Sequence, residues 1–282
     1  MKTILYILGI FVSGAIIISH TSSNIPVTTE AVEYKNPPFL EGNHQWADSI
    51  FDTLTNDQRI AQLFMVAAYS NKGADHEKKI EKLVKDYHIG GLIFMQGTPK
   101  KEIALTNKYQ SKAKTPLMIA IDGEWGLPMR LKNTFKFPKQ MTLGAIQHDS
   151  LLYDMGKEMA QHFRRIGIHI NFAPVIDVNN NRNNPVINYR SFGEQRENVA
   201  NKGIALMKGM QDNYLLACAK HFPGHGDTDK DSHKSLPTIT HNYKRLDSIE
   251  LYPFKKLIKE GLSEDAETKR EPSGEKASEV ID

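Results

Sequence analysis

The segment LLACAKHFPGHGDTDKDSH, residues 215–233, joins a short apolar run to a polar loop. Its first five residues have the length and composition of a buried β-strand. The next fourteen include three histidines, three aspartates, two glycines and a proline, a composition that disfavours a regular helix. A β/α enzyme places its chemistry where a strand ends in such a loop. The segment therefore predicts parallel β/α architecture, with a functional site beginning at the Lys220-His221 pair.

Four further apolar runs upstream of this segment predict β-strands. They lie at residues 64–68, 89–95, 116–121 and 168–176, and helical patterns separate them. Repeated strand–helix units of this size predict a TIM-type (β/α)8 barrel, with a doubly wound α/β sheet as the alternative. The first strand is not followed by the Gly-x-Gly-x-x-Gly motif of dinucleotide-binding doubly wound folds, which favours the barrel. Because a closed barrel needs eight strands, the five predicted strands indicate a barrel truncated after about five β/α units.

Apolar residues at helical spacing predict the buried faces of the intervening helices. They are Ile80, Leu83, Val84 and Tyr87; Leu152, Met155, Met159, Phe163 and Ile166; Val199, Gly203, Leu206 and Met210; and Phe254, Leu257 and Ile258. The spacing Thr55-x-x-Gln58 further predicts a capping box at the start of a short helix.

The two ends of the chain depart from this pattern. Lys2 precedes an apolar run from Ile4 to Ile18, as in the charged and apolar parts of a secretory signal peptide. The run is shorter than the ~20 residues of a membrane-spanning helix. We expect residues 1–20 to be a signal peptide or N-terminal anchor of an exported, periplasmic bacterial protein, residues 21–45 to be a linker, and the charged residues 263–282 to be a disordered tail.

Composition excludes several classes of protein. Hydrophobic residues make up 40% of the chain and charged residues 24%, as in globular proteins with a buried core. The formal net charge is only +3 and the basic residues are dispersed, so we expect no nucleic-acid-binding surface. Cys218 is the single cysteine, which excludes an intramolecular disulfide, and its position in a predicted strand indicates a core residue.

Three motifs carry a resemblance to a known family. Asp122-Gly-Glu-Trp-Gly resembles the Asp-x-Glu-Gly-Gly segment of glycoside hydrolase family 3, with tryptophan at the first of the two glycines. Asn188-Tyr-Arg-Ser-Phe-Gly resembles its Arg-Ser-Phe-Gly turn, and Lys220-His221 resembles its sugar-binding pair. The resemblance is to the branch of bacterial β-N-acetylglucosaminidases that trim peptidoglycan fragments, and it implies that residues 46–262 are a partial family 3 barrel.

The resemblance implies a set of sugar-contacting residues. They are Asp122, Arg130, Arg190, Lys220 and His221. A carboxylate can accept hydrogen bonds from two neighbouring sugar hydroxyls, and lysine or arginine can donate charge-assisted hydrogen bonds to hydroxyl or acetamido oxygens. Asp122, Asp177 and the Lys-His pair all follow predicted strands, and the carboxyl ends of barrel strands converge on one face. We therefore expect these residues to share one pocket.

The same resemblance implies the catalytic chemistry. His233 would be the general acid/base, oriented by Asp231 two residues earlier. Most glycosidases use a carboxylic acid in this role, but an imidazole, with an ordinary pKa of about 6.5, can donate a proton near neutral pH. The implied reaction is hydrolysis of terminal β-linked N-acetylglucosamine from glycans such as peptidoglycan fragments, with retention, through a covalent glycosyl-enzyme. It requires no cofactor.

The residue that would form this covalent intermediate is not identified. In the family it is an aspartate on the seventh strand, and no matching segment follows Gly261; Asp265 and Asp282 lie in the charged tail. We therefore expect this chain to be inactive or nearly so. Two alternatives stay open: a truncated, non-catalytic sugar-binding remnant, and a family 3 β-glucosidase, against which the Asp231-Ser232-His233 element argues.

A metal site is the other chemistry that these side chains could support. His221, His225, Asp227 and His233 offer imidazole and carboxylate ligands. Their spacing matches neither His-x-x-Glu-His nor His-Glu-x-x-His. We therefore expect no metal. The expected partner is a carbohydrate, and any membrane anchoring is expected to involve only residues 1–20.

Overall fold

The computed structural model describes residues 43–229, 239 and 241–261. The predicted acid/base pair, Asp231 and His233, lies outside the described residues. So do the proposed signal peptide and tail and almost all of the proposed linker, and these assignments stay predictions.

The described fold begins with two short helices, α1 (Gln45–Asp52) and α2 (Asn56–Ala61). The side chain of Thr55 accepts a hydrogen bond from the Gln58 backbone N–H, and the side chain of Gln58 accepts one from the Thr55 N–H. This reciprocal pair is the capping box that the spacing predicts, and it satisfies backbone donors that a helix start leaves unpaired. It fixes the beginning of α2 a few residues before the sheet.

Five parallel strands form one sheet in the described part of the chain. They are β1 (Met65–Ala68), β2 (Gly91–Phe94), β3 (Met118–Ile121), β4 (Ile170–Asn171) and β5 (Leu216–Ala217). Each strand pairs with the next one in sequence, in the order β1-β2-β3-β4-β5. A doubly wound sheet reverses its strand order at a switch point, whereas a barrel adds every new strand on the same side. The predicted TIM-barrel architecture is therefore confirmed, and the doubly wound alternative is wrong.

The fourth strand ends earlier than its apolar sequence predicts. β4 spans only Ile170–Asn171, because Pro174 has no backbone N–H to donate to a neighbouring strand. Strand pairing resumes at Val175, which forms an isolated parallel β-bridge with Lys220. The Ile176 N–H donates a hydrogen bond to the Lys220 carbonyl, with an N–O distance of 2.8 Å. The segments that follow β4 and β5 therefore stay side by side beyond the regular strands.

Seven further helices accompany the sheet in the described residues. They are α3 (Ala74–Lys85), α4 (Pro99–Gln110), α5 (Gln140–Gly144), α6 (Ser150–Arg165), α7 (Arg196–Gln211), α8 (Tyr243–Ser248) and α9 (Leu251–Gly261). The stripes predicted on α6 and α7 are buried at every position. None of the helices described here combines the length and apolar character needed to cross a membrane.

Three expectations about burial are wrong. Tyr87 is exposed because α3 ends at Lys85, so the helical spacing no longer applies to it. Ile258 is exposed, whereas Leu257 is buried where α9 packs against α7. Cys218 is only half-buried, since it follows β5 rather than lying within it. Burial is still sufficient to raise the pKa of its thiol.

The core lies between the strands and the helices. Leu92 and Phe94 of β2, and Ile119 and Ile121 of β3, are fully buried. Short strands of continuous apolar sequence are typical of parallel sheets whose two faces are both covered. The apolar runs therefore stabilise the scaffold, and the polar residues that follow them are left at the strand ends.

Candidate functional site

The five residues predicted to contact sugar lie together at the carboxyl ends of the strands. Asp122 follows β3 directly, and Lys220 and His221 follow β5. Arg130 and Arg190 are each brought in by a short 3-10 turn. Asp122 and Lys220 are 98 residues apart in sequence and are linked by a hydrogen bond, because β3 and β5 end at the same edge.

The Asp122 carboxylate bridges two cations. Its Oδ1 accepts a hydrogen bond from Lys220 Nζ at 2.6 Å, and its Oδ2 accepts one from Arg130 Nη2 at 2.5 Å. Arg130 Nε also donates to the Asp122 backbone carbonyl at 3.2 Å. The three side chains remain 14% to 22% exposed. The carboxylate is therefore held in place and is still reachable from solvent.

Glu124 lies at the centre of the site, and sequence reasoning gave it no role. Its side chain is only 1% exposed. It accepts two hydrogen bonds from Arg190, Nη2–Oε1 at 2.6 Å and Nε–Oε2 at 2.9 Å, and its Oε1 lies 2.9 Å from Lys220 Nζ. Burial raises the pKa of Glu124, but the Arg190 hydrogen bonds and the Lys220 charge outweigh burial and hold that pKa below its ordinary value. The sequence contained one indication that Glu124 belongs to the site. Glu124 lies two residues after Asp122, and alternate residues of an extended segment point to the same side.

The network continues from Arg190 through His221 to Asp177. Arg190 Nη2 lies 3.2 Å from His221 Nε2, and His221 Nδ1 lies 2.7 Å from Asp177 Oδ2. The Asp177 side chain is fully buried. Among the described residues the network contains, in order of contact, Arg130, Asp122, Lys220, Glu124, Arg190, His221 and Asp177.

Two glycines shape the loop that follows His221. Gly224 has a φ of +137°, a region that side chains other than glycine rarely adopt. A Cβ on Gly226 would lie 1.9 Å from the Val178 carbonyl oxygen, so only glycine permits this close approach. The first half of the loop is thereby fixed against the segment that follows β4. The predicted acid/base pair lies a few residues further along the chain.

The described residues that were considered as metal ligands form other contacts. Asp227 Oδ2 lies 2.6 Å from His241 Nε2, and His221 is held between Asp177 and Arg190. Within residues 43–229, 239 and 241–261, no group of three or more potential ligands is placed to hold a metal ion. His233 is not among these residues, and the expected absence of a metal stays a prediction.

Comparison with known proteins agrees with the motifs. The sequence profile of the family described as "Glycosyl hydrolase family 3 N terminal domain" matches residues 55–264. The chain belongs to this family. The family predicted from Asp122-Gly-Glu-Trp-Gly, the turn at Arg190 and the Lys220-His221 pair is therefore confirmed.

Several family 3 relatives resemble the chain over the same region. β-Hexosaminidase A from Pseudoalteromonas piscicida is 38% identical over 195 residues, which cover 64% of this chain and 32% of the relative. β-Hexosaminidase from Nitrosomonas eutropha is 32% identical over 185 residues, which cover 62% of this chain and 53% of the relative. The solved structure of a family 3 β-N-acetylglucosaminidase from Paenibacillus sp. str. FPU-7 has 39% identity and a TM-score of 0.68, and the match covers 73% of this chain and 40% of that one. The chain thus spans about a third to a half of the length of these relatives.

Trp125 marks a departure from the family 3 segment, since it replaces the first glycine. Lys139 Nζ lies 2.8 Å from the centroid of the Trp125 ring and 4.8 Å from that of Tyr189. Burial is the main reason that the pKa of Lys139 is lowered. Trp125 follows Glu124 in sequence, and Tyr189 precedes Arg190. Lys139 and the two aromatic rings therefore lie at one rim of the network.

Proposed function

We propose that the charged network binds a terminal β-linked N-acetylglucosamine residue and that the reaction of this family 3 protein is its hydrolysis with retention. The single observation that carries the proposal is the Asp122 carboxylate, held between Arg130 and Lys220 yet open to solvent. Neighbouring hydroxyls of a pyranose can donate to this carboxylate, while the flanking cations donate to sugar oxygens.

The charge of the network suits an uncharged ligand. The network contains three carboxylates and three lysine or arginine side chains, so their formal charges cancel. Each of these groups lies within hydrogen-bonding distance of an oppositely charged group or of the His221 ring. A neutral, polyhydroxylated ring can replace water there without leaving an unpaired charge. The names of the relatives, β-hexosaminidase and β-N-acetylglucosaminidase, support the same class of ligand.

The preformed ion pairs of the network support a catalytic role for the site. Ion pairs that exist before the sugar arrives hold their groups in place, so little reorganisation is needed when the reaction begins. In the proposed reaction His233, oriented by Asp231, protonates the departing oxygen and later removes a proton from water. We assign the nucleophile to none of the described residues.

Hydrolysis and binding should be measured on one preparation whose thermal unfolding is cooperative. We expect N-acetylglucosamine to bind better than glucose. If the preparation turns over, a chromogenic N-acetylglucosaminide should be cleaved in preference to the matching glucoside. A folded preparation that binds neither sugar would contradict the proposal. Preferential cleavage of the glucoside would instead indicate a family 3 β-glucosidase.

Sugar binding without turnover is the second candidate function. It is favoured because the contacts that hold the described part of the network are made without a nucleophile. Binding of N-acetylglucosamine without cleavage of either chromogenic substrate would support this candidate.

We also propose that the protein is exported to the periplasm, because Lys2 and the apolar run after it have the order of a signal peptide. Fractionation of cells that carry the gene tests this. Recovery of the protein only from the cytoplasm would contradict export.

A further inference from the structure

Asp177, the last member of the charged network, is a fully buried carboxylate. Its Oδ1 accepts a hydrogen bond from the His225 backbone N–H at 2.7 Å. The His221 backbone N–H donates to both of its oxygens, at 3.2 Å and 3.3 Å. Its Oδ2 also faces the His221 ring at Nδ1, 2.7 Å away. One carboxylate therefore holds the backbone of the loop at two points and one ring of the site.

Two groups among the described residues face the ring nitrogens of His221 and restrict its protonation. Nδ1 faces a carboxylate oxygen, which can only accept a hydrogen bond, and Nε2 faces Arg190 Nη2 at 3.2 Å, which can only donate one. A ring protonated at Nε2 alone would set a lone pair against the carboxylate and an N–H against the guanidinium. A ring protonated at both nitrogens would still direct the Nε2–H at the guanidinium of Arg190. Only the neutral ring with its proton on Nδ1 satisfies both neighbours.

We propose that Asp177 is a positioning residue that holds His221 as the Nδ1–H tautomer, so that Nε2 faces the sugar site as a hydrogen-bond acceptor. In the free protein Arg190 occupies this acceptor, and a sugar hydroxyl can take its place when the ligand binds. The role in sugar binding rests on the proposed function. The tautomer does not, because it is fixed by protein groups alone.

The proposal is tested by nitrogen NMR of the full chain labelled with 15N-histidine, recorded without sugar near pH ~8, where histidine is ordinarily neutral. The His221 signals are assigned by their loss in His221→Gln. In the wild-type protein we expect a protonated Nδ1 and an unprotonated Nε2. An unprotonated Nδ1 in the wild type overturns the proposal, whatever the variants do.

The second measurement uses Asp177→Asn. The asparagine amide can direct an N–H at His221 Nδ1, where the carboxylate oxygen of Asp177 can only accept a hydrogen bond. We expect the His221 ring to switch to the Nε2–H tautomer, with loss of its contact to Arg190 Nη2. The affinity for N-acetylglucosamine should fall about tenfold, as for the loss of one hydrogen bond. Ser191→Ala is the matched control, since among the described residues the Ser191 hydroxyl contacts backbone groups alone: the carbonyls of Asp177 and Gly193 as acceptors and the Gly193 N–H as donor. It should leave the tautomer unchanged even if it lowers stability.

The outcomes separate the inference from the proposed function. If Asp177→Asn folds and keeps the wild-type tautomer, Asp177 does not set it and the inference is wrong. If the tautomer switches while sugar affinity stays unchanged, the role of Asp177 in sugar binding is wrong. If the wild-type protein shows the Nδ1–H tautomer but binds no sugar, the proposed function fails and the tautomer assignment stands.

Discussion

Glu124 and Arg190 lie 66 residues apart in sequence and form a two-pronged ion pair, Nη2–Oε1 at 2.6 Å and Nε–Oε2 at 2.9 Å. The pair joins the end of β3 to the turn that carries Arg190, and it is buried on the glutamate side. Planar contacts of this kind fix orientation as well as distance. Arg190 is thereby held with its Nη2 3.2 Å from His221 Nε2.

Glu124→Gln should destabilise the fold, because it leaves the partly buried Arg190 without its carboxylate partner and, among the described residues, leaves Lys220 paired with Asp122 alone. We expect the free energy of unfolding to fall by about 3 kcal/mol, the scale for removing one partner of a buried ion pair. Urea denaturation measures it. Glu197→Gln is the control, since Glu197 forms an exposed pair with Arg196, and it should cause little change. Equal effects of the two substitutions would show that the Glu124 network does not stabilise the fold.

Asp122→Asn should weaken sugar binding while the protein stays folded. The substitution removes the charge that orders Arg130 and Lys220 and the acceptor proposed for the sugar hydroxyls. We expect the dissociation constant for N-acetylglucosamine to rise about 10- to 100-fold, equivalent to one or two charge-assisted hydrogen bonds. Calorimetric titration measures it, with Asp154→Asn on the exposed face of α6 as the control. Unchanged affinity would remove Asp122 from the proposed site.

His233→Ala should slow hydrolysis of an unactivated disaccharide about 10²- to 10⁴-fold, the usual effect of losing a general acid/base. A substrate with a very acidic leaving group needs little protonation and should be affected less in the first step. The comparison is made by steady-state kinetics on any preparation that turns over both substrates. An equal loss of rate on the two would argue against a proton-transfer role for His233.

Stability should fall as the pH rises because of Glu102, a buried acid on α4 that lies outside the site. Burial raises the pKa of Glu102 from 4.5 to about 8, and within the described part of the chain it accepts a hydrogen bond from the Thr106 hydroxyl alone. A raised pKa means that the folded protein keeps a proton which the unfolded chain releases above pH 4.5. Stability from this group is therefore fully present below pH 4.5 and is lost as the pH rises toward about 8.

The variant Glu102→Gln should remove this dependence. We expect the wild type to lose up to about 1.4 kcal/mol per pH unit relative to the variant in that range. Urea denaturation at several pH values measures the difference, and Glu158→Gln, an exposed acid on α6, should keep the wild-type profile. Parallel profiles for the wild type and Glu102→Gln would contradict the assignment.

Local signals in the sequence were sufficient for much of the scaffold. The capping box at Thr55, the apolar strands and the stripe from Leu152 to Ile166 were all predictable, because each depends on residues a few positions apart. The family was predictable for a similar reason, since the motifs at Asp122 and Lys220 are short and specific.

The order of the strands and the inner contacts of the site were decided only by the tertiary structure. Apolar periodicity identifies a strand but does not choose its neighbour, so the sequence left the doubly wound sheet open until the pairing of β1 to β5 excluded it. Glu124 and Asp177 gained their partners only when segments 44 to 66 residues apart met at one edge. The sequence determined which chemical groups stand at the strand ends. The fold decided which of them pair, because a hydrogen bond depends on distance in space and not on separation along the chain.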